Sequence, residues 1–102
     1  MSHPATERRR SPRYLCSQLV EIGIDGRITT ALLEDLSLEG AAVSVEAPVE
    51  ADTAIEFVVP GLTVRAKVRY CRRRETDFQV GLEFAEGCRW RPAEWKPEHL
   101  LI

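Results

Sequence analysis

The sequence has few of the residues that carry catalysis or metal binding. Its two histidines, His3 and His99, lie near opposite ends of the 102 residues, and neither HxxxH nor HExxH occurs. A histidine-based metal centre therefore has no foothold. Cys16, Cys71 and Cys88 are odd in number and widely spaced, with no CxxC pair. That spacing argues against a disulfide framework or a zinc knuckle and leaves reduced, partly buried thiols. No apolar run reaches the ~18 residues of a membrane span. The opening MSHPATERRRSPRY has charge but no hydrophobic stretch behind it, so a signal peptide is not expected and the cytoplasm is the default location. A nucleophile–base pair and a glycine-rich phosphate loop are also missing, so no enzyme is expected.

Lysine is scarce as well. Of 14 basic residues only Lys67 and Lys96 are lysines, and the rest are arginine. The net charge of −2 hides strong segregation. Residues 1–13 hold Arg8, Arg9, Arg10 and Arg13 against Glu7 alone. Residues 14–64 hold Arg27 against nine acids, and residues 65–74 hold Arg65, Lys67, Arg69, Arg72, Arg73 and Arg74 with no acid. A weakly acidic total thus conceals two basic segments.

What is present is enough for one folded domain. Hydrophobic residues make up 44% of a chain of ordinary domain length, which supports a modest core and argues against disorder. Residues 1–13 lack apolar periodicity and read as a mobile basic arm. From there to about residue 85 the dominant period is two, the signature of strands with one buried face. Val20, Ile22 and Ile24 share a face of a first strand, and Asp25-Gly26 makes a tight turn. A second strand runs from about Arg27 to Leu36. Ala41, Val43 and Val45 mark a third, and Ile55, Phe57 and Val59 a fourth, closed by Pro60-Gly61. In the fifth, Val64, Ala66, Val68 and Tyr70 are expected to point one way and Arg65, Lys67 and Arg69 the other. Phe78, Val80, Leu82 and Phe84 give a sixth. The reading is all-β, a small antiparallel barrel or sandwich over residues 14–85, with a tail over 86–102 holding at most a helical turn near Pro92–Lys96.

Two local patterns stand out. Arg9-Arg10-Ser11-Pro12-Arg13 is an RxxxR just before the first strand, and Asp35-Leu36-Ser37-Leu38-Glu39-Gly40 is a DxSxxG between strands two and three. RxxxR recurs at Arg65/Arg69 and Arg69/Arg73, so by itself it says little. DxSxxG by itself reads as a turn in which Asp35 or Ser37 bonds a backbone N–H and Gly40 adopts a left-handed conformation. Together, in this order and position, they resemble the PilZ domain family. Glu7-Arg8-Arg9-Arg10, the Leu36 and Leu38 spacing and Val80-Gly81-Leu82-Glu83-Phe84 agree with it over about residues 7–85. The resemblance implies a six-stranded antiparallel β-barrel and, as in many members, a receptor for the bacterial second messenger cyclic di-GMP. The tail departs from members that carry a clear C-terminal helix.

The resemblance assigns guanine and phosphate contacts to Arg9 and Arg13, with Arg8 and Arg10 in support. It makes Asp35, Ser37 and Gly40 the rigid half of the site. Chemistry agrees with that assignment. Cyclic di-GMP is a compact dianion with two flat guanines. Arginine can bond guanine O6 and N7, bind phosphate bidentately or stack on a purine. Asp35 can accept from the guanine N1–H and amine, and Ser37 can donate or accept. Gly40 lets the backbone approach or turn without a Cβ. The arginine skew has a second source in GC-rich coding. Ordering of the arm across the barrel mouth on binding, with Pro12 limiting its freedom, then offers a changed surface to a protein partner. That surface includes the arm and the Trp90/Trp95 tail, although these tryptophans also suit a cap on the barrel's apolar end.

The Lys67–Arg74 segment reads as a solvated strand face or as an extension of the anion site. The rival functions are a partner-recruiting module of the same fold that binds no nucleotide, and a nucleic-acid binder. The net charge of −2 and the acidic middle disfavour the second. No other cofactor, no metal, no nucleic acid and no membrane is expected.

Overall fold

A computed structural model describes residues 13–86. Arg8, Arg9, Arg10, Cys88, the two tryptophans and the tail lie outside that range. Six strands run in sequence: β1 (Tyr14–Ile24), β2 (Arg27–Leu36), β3 (Gly40–Val45), β4 (Ala54–Val59), β5 (Leu62–Arg73) and β6 (Phe78–Phe84). No helix occurs among the described residues, and so none that is long and apolar enough to cross a membrane.

The strands close into a barrel in the order β1-β2-β3-β6-β5-β4, with every neighbouring pair antiparallel and β4 returning to β1. Closure leaves the sheet without open edges along its paired length. The β1–β2 hairpin forms because Asp25 and Gly26 both take positive φ, 52° and 78°, the backbone that a two-residue turn between right-twisted strands demands.

The interior follows the alternation read from the sequence. Val20, Ile22, Ala31, Leu33, Val43, Ile55, Phe57, Val64, Ala66, Val68, Val80, Leu82 and Phe84 point inward and pack as one cluster. Phe57 and Phe84 meet at the centre, with ring centroids 5.9 Å apart. Cys16 joins the core, 4% exposed.

Three bulges break the regular ladder. They fall between Leu15 and Gln18 on β1, between Leu33 and Asp35 on β2, and between Val68 and Tyr70 on β5. The last corrects one expectation. Tyr70 does not continue the inward face of Val64, Ala66 and Val68. Arg69 is the extra residue of the bulge, so the side-chain alternation slips and Tyr70 emerges on the outside, 38% exposed. Period two presumes an unbroken ladder, and the break lies in the pairing with β6.

Candidate ligand site

The DxSxxG segment folds as a tight link between β2 and β3. Ser37 closes it twice. Its backbone N–H donates to the Gly40 carbonyl at 2.8 Å, and its Oγ accepts from the N–H groups of Glu39 and Gly40 at 3.3 and 3.2 Å. The same hydroxyl donates to the Gly40 carbonyl at 3.3 Å. Ser37 is only 8% exposed, so its hydroxyl is engaged inside the turn. Gly40 has a different reason from the left-handed turn considered above, since the described glycines with positive φ are Gly26 and Gly61. Gly40 instead lies so close to β6 that a Cβ would overlap the Leu82 carbonyl oxygen. The glycine is required by close approach of backbones.

Asp35 stands at the end of β2, directly after the bulge. Its Oδ1 accepts from Arg13 Nη1 at 3.0 Å, which joins the two sequence motifs across 22 residues. The Asp35 side chain is 16% exposed and that of Arg13 is 43% exposed, so the pair sits at the barrel surface with Arg13 the more open of the two. Behind it, burial and then the Asp35 charge push the Cys16 thiol up to about 11, so this cysteine stays protonated.

Strand register reveals what lies beside Asp35. Leu15 pairs with Asp35, Asp35 with Ala42, Ala42 with Gly81 and Gly81 with Tyr70. Ala41 and Val43 point into the core, so Ala42 lies on the opposite side of β3, yet it is covered, only 1% exposed. A transverse row thus runs across the strands from a carboxylate to an aromatic ring, with the buried Ala42 and Gly81 between them. The Tyr70 ring lies across Gly81, so that a Cβ there would overlap the ring. Arg72 sits over the same ring, its guanidinium carbon 5.3 Å from the centroid. Bulges at both ends of the row aim Asp35 and Tyr70 onto this face. Tyr70 and Gly81 were not among the residues singled out for the site. The one signal for them was the aromatic amid the strand-five arginines, and the period-two reading turned it inward.

Most of the described part of the second basic segment is already paired. Arg74 donates to Glu34 at 3.2 and 2.8 Å and to Asp77 at 2.8 and 2.9 Å. These bonds, Asp77 first and Glu34 second, raise its already high affinity for the proton. Asp77, bonded by Arg74 and then by the Ser44 hydroxyl, is held below the usual carboxylate range. Arg69 lies 3.9 Å from Glu83 and Lys67 4.0 Å from Asp52, both at exposed positions. Arg73 sits over Phe78 at 5.8 Å. Among the described residues no group of three His, Cys, Asp or Glu side chains could hold a metal ion.

The sequence profile of the PilZ domain matches residues 7–88. The chain belongs to the PilZ domain family. Its barrel is similar to the Borreliella burgdorferi PlzA protein, whose crystal structure was solved in complex with c-di-GMP. The TM-score is 0.64 at 18% identity, over 87% of this chain. The chain spans 39% of the PlzA chain's length. No curated protein matches it. The PilZ assignment and the six-stranded barrel that the resemblance implied both stand.

Proposed function

We propose that this PilZ domain is a cyclic di-GMP receptor that signals by binding rather than by catalysis. The observation that carries the proposal is the Arg13–Asp35 ion pair. It links RxxxR to DxSxxG on the same side of the barrel as the half-exposed Tyr70 ring. PlzA, of the same fold, in complex with c-di-GMP supports the reading.

Each part has a chemical task. Arg13, with Arg9 and secondarily Arg8 and Arg10, binds phosphate and guanine O6/N7. Asp35 accepts from the guanine N1–H and exocyclic amine. A guanine meets the exposed side of the Tyr70 ring, which itself covers Gly81. Ser37 and Gly40 hold the β2–β3 link in shape and seat it against β6, which fixes Asp35. The free-state ion pair is easily exchanged, because an exposed pair is worth only ~0–1 kcal/mol. A dianion that offers phosphate to Arg13 and guanine donors to Asp35 replaces it with more bonds than it breaks.

In this reading residues 1–13 are the basic arm that closes over the ligand, 14–85 the barrel and 86–102 a C-terminal tail. The ordered arm is the changed surface that a downstream protein reads. Leu15, Leu19 and Ile28, which are 52%, 68% and 64% exposed along the β1–β2 hairpin, add apolar area for such a partner. That strip also favours a second reading, a partner-recruiting module that binds no nucleotide. Calorimetric titration with cyclic di-GMP separates the two. Saturable heat that is lost in Arg13→Ala supports the receptor. Absence of heat at high micromolar ligand sinks the receptor reading and favours the recruiting module.

A further inference from the structure

We propose that Arg74, which lies outside both ligand motifs, is a positioning residue for the Asp35 carboxylate and so sets ligand affinity. The inference rests on the receptor reading and adds a residue to it. Glu34 precedes Asp35 and is out of register with both neighbouring strands. Towards β3, Leu33 pairs with Val43 and Asp35 with Ala42, which leaves Glu34 as the extra residue. Towards β1, Gln18 pairs with Leu33 and Leu15 with Asp35, so Cys16 and Ser17 face Glu34 irregularly. Ladder bonds that fix an ordinary strand residue from both sides are disrupted at this one.

Side chains supply the restraint instead. Glu34 Oε1 and Oε2 accept from Arg74 Nη1 and Nη2 at 3.2 and 2.8 Å, a bidentate fork. Gln79 Nε2 donates to Glu34 Oε1 at 3.1 Å. Arg74 is in turn fixed by Asp77, through Nε at 2.8 Å and Nη2 at 2.9 Å. Its backbone N–H also donates to the Asp77 carbonyl at 2.9 Å. The β5–β6 turn thus grips the bulge on β2 across 40 residues of sequence. A bulge held on one side by this grip presents the next carboxylate at a fixed place and angle. Released, Asp35 samples several, and binding must first select one.

The test is a mutant cycle read by calorimetry with cyclic di-GMP and by hydrogen exchange without ligand. Neighbouring groups in one hydrogen-bond network couple, so Arg74→Gln is expected to weaken binding about tenfold. In an Asp35→Asn background the same substitution leaves affinity unchanged, because its effect passes through Asp35. A purely structural Arg74 gives either no affinity change or the same loss in both backgrounds, and either result overturns the proposal. Backbone amides at residues 34–36 exchange faster in Arg74→Gln than in the parent. Unchanged protection there also overturns it, whether or not ligand binds. Glu34→Gln repeats the cycle if Arg74→Gln fails to fold. A parent protein that binds no cyclic di-GMP sinks the receptor reading itself, and this is distinct from a parent that binds and an Arg74→Gln that binds equally well.

Discussion

Among the described residues, Arg13 at the start of β1 meets Asp35 through one bond and keeps 43% of its side chain exposed. On the β5–β6 turn, Arg74 meets two carboxylates through four bonds. Both belong to arginine-rich segments, yet their surroundings give them opposite duties. An arginine already saturated by carboxylates has no fork left for an anion, and moving it exposes two acids to one another. An arginine with one exchangeable partner is free to trade it. Charge density along a sequence therefore does not locate an anion site. Commitment to two acids removes Arg74 from the candidates, and the proposed site rests on Arg13 because its one described acid belongs to the second motif.

That contrast breaks most directly at Arg13. Arg13→Ala is expected to weaken cyclic di-GMP binding by about 100-fold, within the ~1.5–3 kcal/mol of a charged hydrogen bond. Its melting temperature should stay close to the parent's, because the lost pair is exposed. A large drop in melting temperature with intact affinity would reverse the roles given to the two arginines.

Next in size is the turn that carries Asp35. Gly40→Ala drives a Cβ into the Leu82 carbonyl and should lower stability by about 2 kcal/mol in urea denaturation, the usual scale of overpacking. Tyr70→Ala comes third. It removes the ring from the outer face and should cost about tenfold in affinity, within the ~1–3 kcal/mol per stacked base. Because that ring faces outward, stability should change little. The smallest effects are in pH. Asp77 is held below the usual carboxylate value near 3.8, so its contribution is complete above that value and lost as pH falls below it. Asp77→Asn should flatten this acid limb in thermal melts. Cys16 has the opposite sign. Its thiol is raised from 9.0 to about 11, so the neutral form stabilises the fold below pH 9.0, and that contribution fades as pH climbs towards 11. Slow alkylation of Cys16 in the native state checks the same burial.

Much of this was legible in the sequence. The inward residues read for β1, β3, β4 and β6, and for β5 as far as Val68, follow from period two, and β2 spans Arg27–Leu36 as expected. Arg13 and Asp35, 22 residues apart, do meet. What was not legible depends on pairing between strands. The bulge that turns Tyr70 outward is defined only against β6, and the close approach that demands Gly40 is defined only by Leu82. Arg74 looked like one more solvated cation because Glu34 lies 40 residues away. Ser37 was visible as a motif residue, but its engagement inside the turn was not.

The central claim is that Arg13 and Asp35 release one another to hold cyclic di-GMP. Calorimetric titration of cyclic di-GMP into the parent and Asp35→Ala proteins, side by side with their thermal melts, tests it most directly. The account predicts saturable binding for the parent, severely weakened binding for Asp35→Ala and folded protein in both samples. Equal affinity in the two, or no binding heat from the parent at high micromolar ligand, would contradict it.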